Sequence, residues 1–578
     1  MSAVCSEIGF ISIKVNPMER EKMDGIKAKG TDRGPRVSKL GGGVKPVIVM
    51  PVLLIAGLLL VLGTVREKRD FHIDETYSYI LSNSYDADRI SNEDQVWDRW
   101  IDGKRLLEFV SVQEGEGFAY EKVYHNNEKD AHPPLYYFLL HTVCSLFPGQ
   151  FSQWFGIGIN LVFSLASMCL LYCLGILILK DELWALFPPL LWGTSAVFVD
   201  ATIFIRMYAM LTFMTLILAI LFIKAEQEGI TGKRLAVLYG VTFLGIFTQY
   251  YFAVFAFWAT GIFCLYLLRK RRFSKMILLG AVMLAAVVSV FLVYPAGVTQ
   301  ITGSPTNNIG NKVFAGGALF RFNELFGSCV SILRQALGTL SAGLRQIKAV
   351  TLVYFVIVLV AGIGIVRRGS VFRWEKSRFK HALVYLAAVG LTFLLVAHIS
   401  KSFSYLRYVY NIIPLGILGC FAVIKSLVYG EAARKFICFA VMGIAVLNFI
   451  GNMVSKPGTY IYRQEAAYIQ EITDKMERVP VVMLSERKTY IPTANLTKLI
   501  HAEKLYMGSA DLVKQFDQLF SEFSTEGVIL YVAADREWAE NYDSEEVLRD
   551  ILQNTSLFSS CEYLGYHDFC DVYYLTTG

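Results

Sequence analysis

The chain has 578 residues, of which 54% are hydrophobic, 14% aromatic and only 18% charged, too apolar and too long for one soluble core. Its formal net charge of +6 comes from basic residues in short clusters between apolar runs, the pattern of a cytoplasmic membrane face and not of a nucleic-acid-binding surface. The composition is that of a polytopic α-helical membrane protein.

Residues 1–44 lack the apolar core and cleavage site of a signal peptide and are rich in Lys, Arg and Gly, so they read as a disordered cytoplasmic tail. Within 45–456 about eleven runs reach membrane-spanning length. They lie at 46–65, 153–179, 183–199, 203–223, 235–250, 252–268, 276–295, 349–366, 382–398, 409–429 and 436–454. The basic residues from Lys27 to Lys45 place the N-terminus in the cytoplasm. Counting spans from there puts Lys224, Lys233 and Arg234, the cluster Arg269 to Lys275, the cluster Arg367 to Lys380, and Arg434 with Lys435 on that same side.

The opposite side receives the large connections 66–152 and 296–348 and everything after Lys456. In the first of these loops Asp74–Asn83 and Pro134–Phe147 have the apolar spacing of short helices lying in the membrane interface. Residues 85–130 are charged and turn-rich and carry no assignable role. The segment 457–578 alternates strand-like runs, Val479–Leu484, Gly527–Ala533 and Val572–Leu575, with helical patterns at Arg463–Met476, Ala510–Phe523 and Ser544–Leu552. It is expected to be a small extracytoplasmic α/β domain, a lid or acceptor-side module without a Gly-rich phosphate loop.

Cys144, Cys169, Cys173, Cys264, Cys420 and Cys438 fall in or beside apolar runs as small hydrophobes. Cys561 and Cys570 flank a possible hairpin at Gly565, and a disulfide and two free thiols are equally open readings. No internal repeat is evident.

An active site on the far side of the membrane has no access to nucleotide-activated substrates, so an activated group must arrive on a lipid, and a polyprenyl-phosphate sugar is the obvious donor. Its leaving group needs positive charge, and the acceptor hydroxyl needs a base. Asp74 is the candidate base; Glu75 would orient it or hold an acceptor or a divalent metal. The competing reading is that both acids cap the helix that begins there, each worth about 0.3–1 kcal/mol through the helix dipole. Asp200, at the outer end of a span, is a second candidate acid. Arg206 sits near the end of an apolar run, where a charge implies a partner or cavity unless it snorkels to the headgroups. Arg407 shares that ambiguity, and both are candidates to grip the lipid phosphate. His132, before Pro133-Pro134, either binds sugar or acceptor or starts the following helix. His72, His141 and His398 read as structural, and Tyr136, Tyr137, Tyr250 and Tyr251 as an interfacial aromatic belt.

Taken in order, the acidic pair Asp74-Glu75, the run His132-Pro133-Pro134-Leu135-Tyr136-Tyr137, Arg206-Met207-Tyr208-Ala209, and Arg407-Tyr408 leading to Pro414 resemble the GT-C class of glycosyltransferases. More narrowly, they resemble the family of protein O-mannosyltransferases and lipid A aminoarabinose transferases over about 46–430. The resemblance implies a polyprenyl-phosphate sugar donor, an acid at the position of Asp74 near the reaction centre, inversion at the anomeric carbon, and interfacial helices in the first outer loop. It also carries Tyr208 into the substrate-binding set with His132, Arg206, Arg407 and Asp200. The acceptor would be an extracytoplasmic glycan, lipid or protein at the cell membrane. The insertion at 85–130 and the C-terminal domain depart from the family pattern. Two rival readings are a transporter or flippase of lipid-linked sugars, which would place charges deep inside spans, and a glycan ligase or polymerase using a pyrophosphate-linked donor.

Overall fold

A computed structural model describes residues 46–87, 90, 93–302, 322–367, 376–399, 405–428, 430–534 and 543–577. The tail expected at 1–44 lies outside them. Each of the eleven apolar runs is helical over most of its length, and among the described residues eight helices are long and apolar enough to cross a membrane unbroken. The run expected at 183–199 is instead a bent pair, Glu182–Gly193 and Ala196–Ile203, angled by 60°. Its break has a local cause. The Thr194 hydroxyl bonds back to the Leu190 carbonyl at 2.8 Å, and the Ser195 side chain caps the second limb by accepting from the Phe198 amide at 3.4 Å. The next helix begins at Tyr208 and not near 203, so Phe204–Met207 is a non-helical break between two apolar helices, and Arg206 sits in it.

The two short helices of the first outer loop form as expected, as α1 (Ile73–Asn83) and α2 (Leu135–Ser145), each of 11 residues. At 1.5 Å per residue each is about 16 Å long, half the hydrocarbon thickness. Neither lies freely in the interface. Most of α1 is buried, and the Tyr79 hydroxyl donates to the Ser152 carbonyl at 2.6 Å. Tyr136 and Tyr137 are completely buried beneath this layer, and the Tyr250 hydroxyl donates inward to Gln300 Oε1 at 2.6 Å. These three tyrosines are core, not the expected aromatic belt, because the loop folds over them and removes them from the headgroups.

The C-terminal region forms a six-stranded sheet of order β1-β3-β2-β4-β6-β5. Five strands come from that region: β2 (Val481–Leu484), β3 (Leu505–Gly508), β4 (Gly527–Ala533), β5 (Ser560–His567) and β6 (Cys570–Thr576). β2, β3 and β4 are parallel neighbours, buried on both faces, which explains why β2 and β4 read as continuous apolar runs. The edge strand β1 (Trp100–Ile101) comes from the first outer loop and pairs antiparallel with β3. The insertion at 85–130 thus completes the C-terminal sheet. Gly103 seals the joint, since a Cβ there would sit 2.2 Å from the Leu499 carbonyl oxygen.

The β5–β6 hairpin turns at Asp568-Phe569, both with positive φ of 42° and 65°, as a two-residue hairpin requires. Gly565, expected at the turn, sits at a register shift within β5. Cys570 pairs with His567 across the turn, whereas Cys561 pairs with Leu575. Six residues of strand separate the two thiols by roughly 20 Å, beyond disulfide reach, and both are free.

Candidate active site at the ends of the membrane helices

The two adjacent acids at the start of α1 take different directions. His72 is the N-cap: its ring accepts from the Asp74 amide at 3.1 Å, and Glu75 reaches back to accept from the His72 amide at 2.8 Å, a capping box. Glu75 also accepts from Lys68 Nζ at 2.8 Å and from the Ile205 amide at 2.9 Å, and neither side chain of the Lys68–Glu75 pair is exposed. Lys68 in turn donates to the Tyr460 carbonyl at 2.7 Å. Glu75 therefore ties together the first loop, the Phe204–Met207 break and the start of the C-terminal region.

Asp74 takes no part in that capping through its carboxylate. The carboxylate is 29% exposed and lies 2.9 Å from Arg407 Nη1. Arg206 approaches the same turn from inside: its Nη1 donates to the Asp74 main-chain carbonyl at 3.2 Å, and its Nη2 lies 3.1 Å from His132 Nδ1. His132 is held by Asp130 at 2.8 Å. Arg206 is only 4% exposed, so it does not snorkel. Burial opposes ionisation of Asp74, but the Arg206 and Arg407 guanidiniums outweigh it and hold the carboxyl down at about 2. Asp130 is likewise held below its ordinary range, burial being outweighed by His132 and Arg206.

Arg407 is framed by aromatic faces, with its guanidinium 4.6 Å from the Tyr405 ring centroid and 5.5 Å from that of Tyr408. Beyond it opens a cavity of about 440 Å³, whose wall includes Arg407, Tyr410, Thr459, Tyr460, Arg334 and Arg345.

Two further expected site residues are engaged with neighbouring protein groups. Asp200 is buried, its two oxygens accepting from the Thr459 amide at 2.7 Å and the Thr459 hydroxyl at 2.8 Å; it fastens the chain where the C-terminal region begins. Tyr208 is buried in an aromatic stack with Phe204, which itself stacks on Tyr460 at 3.9 Å.

A divalent metal does not fit Asp74 and Glu75. The oxygens of Glu75 face an ammonium and two amides, and Asp74 faces a guanidinium, so N–H donors point where an ion would bind. Among the described residues the one group of three side chains able to share an ion is Asp70, His567 and Asp568. There the Lys498 ammonium already stands between the carboxylates, 2.8 Å from Asp70 and in contact with Asp568. This buried cluster docks the sheet onto the loop that carries Asp74.

Sequence reasoning passed over Lys68, Lys498, Arg334 and Arg345. Each is one cation among many in the sequence; the fold distinguishes Lys68 and Lys498 by their distant carboxylate partners and Arg334 and Arg345 by the cavity they share with Arg407.

No protein-family model matches the chain, and no curated protein matches it. Its backbone is similar to the crystal structure of ArnT from Cupriavidus metallidurans in the apo state, at 11% identity and a TM-score of 0.47 over 92% of this chain and 98% of that one. It is also similar to the Archaeoglobus fulgidus oligosaccharyltransferase in complex with Zn and sulfate, at 11% identity and a TM-score of 0.38 over 83% of this chain and 68% of that one.

Proposed function

We propose that this protein is an integral membrane glycosyltransferase that moves a sugar from a polyprenyl-phosphate carrier to a hydroxyl of an extracytoplasmic glycan, lipid or protein. The observation that carries this reading is the partly open Asp74 carboxylate held 2.9 Å from Arg407, which itself lines a cavity. In the reaction the acceptor oxygen bonds to the anomeric carbon as the bond from that carbon to the phosphate oxygen breaks, with inversion. Asp74 receives the hydroxyl proton, and the lipid phosphate leaves as an anion toward Arg407, with Arg206 adding positive charge from behind.

The ion pair itself suggests how the base is timed. In the resting site Arg407 suppresses the basicity of Asp74. A donor phosphate that engages Arg407 offsets this charge and raises the proton affinity of Asp74 once the sugar is in place. His132, fixed between Asp130 and Arg206, is a hydrogen-bonding group for sugar or acceptor, while Glu75, Asp200 and Tyr208 hold the frame. The basic residues from Lys27 to Lys45 support a cytoplasmic N-terminus, and in this reading the site and the C-terminal sheet lie on the extracytoplasmic side of the cell membrane.

The test uses purified protein in lipid nanodiscs with a panel of polyprenyl-phosphate sugars and a crude cell-envelope acceptor fraction. Free polyprenyl phosphate is followed by mass spectrometry for wild type and Asp74→Asn. Release that requires sugar, acceptor and Asp74 is expected; full release by a folded Asp74→Asn protein would remove the base from the mechanism.

A further inference from the structure

The cavity beyond Arg407 carries more positive charge than one leaving phosphate needs. Three arginines, Arg334, Arg345 and Arg407, line about 440 Å³ together with Gln335, Tyr405 and Tyr460, and no acidic side chain lines it among the described residues. Asp74 balances one guanidinium, that of Arg407. Arg345 donates to the Gly338 carbonyl at 2.7 Å, which fixes its direction without neutralising it. The Arg407 Nε is buried without a hydrogen-bond partner, so the guanidinium that pairs with Asp74 retains an unsatisfied donor. Like charges facing a common space, with hydroxyl and amide groups between them, suit a bound anion.

We propose that Arg334 and Arg345 form a second oxyanion subsite, separate from the phosphate position at Arg407, that takes a second anionic group borne by one of the substrates. This deepens the transferase reading and rests on it. The shared chemistry is a phosphate or comparable oxyanion, and it has two sources: the second phosphoryl group of a pyrophosphate-linked donor, or an acidic group on the acceptor.

The experiment measures the Kd of polyprenyl phosphate and of polyprenyl pyrophosphate in nanodiscs of neutral lipid, and the KM for acidic and neutral acceptor fractions. Wild type is compared with Arg334→Gln, Arg345→Gln and the double variant. If the donor supplies the anion, the double variant weakens pyrophosphate binding about tenfold or more and leaves monophosphate binding within about twofold. If the acceptor supplies it, both carriers bind unchanged while the KM for the acidic fraction rises about tenfold and that for the neutral fraction does not. No change in either overturns the subsite. Loss of pyrophosphate binding without transfer from any donor would keep the subsite and overturn the transferase; transfer that depends on Asp74 but is indifferent to both arginines would do the reverse. Should the double variant fail to fold, the exposed Arg334→Gln alone decides by the same criteria, with at least a threefold change expected.

Discussion

Glu75 and Asp74 are neighbours in sequence, yet replacing each by its amide should have opposite consequences. Glu75 accepts from Lys68, the His72 amide and the Ile205 amide with no exposed surface on its side chain. In Glu75→Gln one side of the group becomes an NH₂ that faces N–H donors, and the Lys68 ammonium is left buried without its counter-charge. Breaking a buried pair in this way costs about 3–5 kcal/mol, which should lower the apparent melting temperature by something on the order of 5–10 °C. Lys68→Met combined with Glu75→Leu should recover much of that loss, because an apolar pair needs no compensation. Asp74 is 29% exposed and pairs with Arg407, so Asp74→Asn should lower stability by less than Glu75→Gln does while abolishing transfer. The assays are thermal unfolding in nanodiscs and release of polyprenyl phosphate. An unchanged melting temperature with lost transfer in Glu75→Gln would refute the division and put Glu75 in the chemistry.

The depressed Asp74 makes a pH prediction with a definite sign. A carboxyl whose folded value lies near 2 gives stability present above the ordinary value near 4 and lost as pH falls toward 2, so thermal stability measured from pH 5 down to pH 2.5 should decline less in Asp74→Asn than in wild type. Arg206→Ala removes both the donor to the Asp74 carbonyl and the contact with His132; it should raise the folded-state value of Asp74 and cut transfer at least tenfold, whereas full transfer would reduce Arg206 to a packing role. Lys498→Met strips the cation from Asp70 and Asp568 and should free the C-terminal sheet to limited proteolysis near Lys456; unchanged protection would mean that apolar contacts alone hold the sheet. Gly103→Ala forces a Cβ to 2.2 Å from the Leu499 oxygen and should expose the β1 edge in the same assay, with no change counting against the tight joint.

The membrane helices were legible because bilayer thickness and hydrophobicity act on each run independently, and no partner segment is needed to recognise one. The short helices at Asp74 and Pro134 were legible for the same local reason. The parallel strands β2 and β4 announced themselves by unbroken apolar residues, but β3, β5 and β1 did not. A two-residue strand such as Trp100–Ile101 has no pattern of its own and exists only because β3 offers an edge.

The site divides in the same way. Charged and polar side chains at the ends of apolar runs stand out, so composition and position pointed to Asp74, Arg206, Arg407 and His132, which the fold brings into one neighbourhood. What sequence alone left open was the role of each neighbour. Capping, snorkelling and function look alike in a string of letters, because they differ in which group a charge meets. The fold settled those contacts: Glu75 meets Lys68, Asp200 meets Thr459, and Asp74 meets Arg407. Periodicity and hydrophobicity are properties of a segment, and the sequence determined them. A hydrogen bond across 392 positions from Lys68 to the Tyr460 carbonyl, or a charge pair across 428 between Asp70 and Lys498, is a property of the packed chain, and only the tertiary structure decided it.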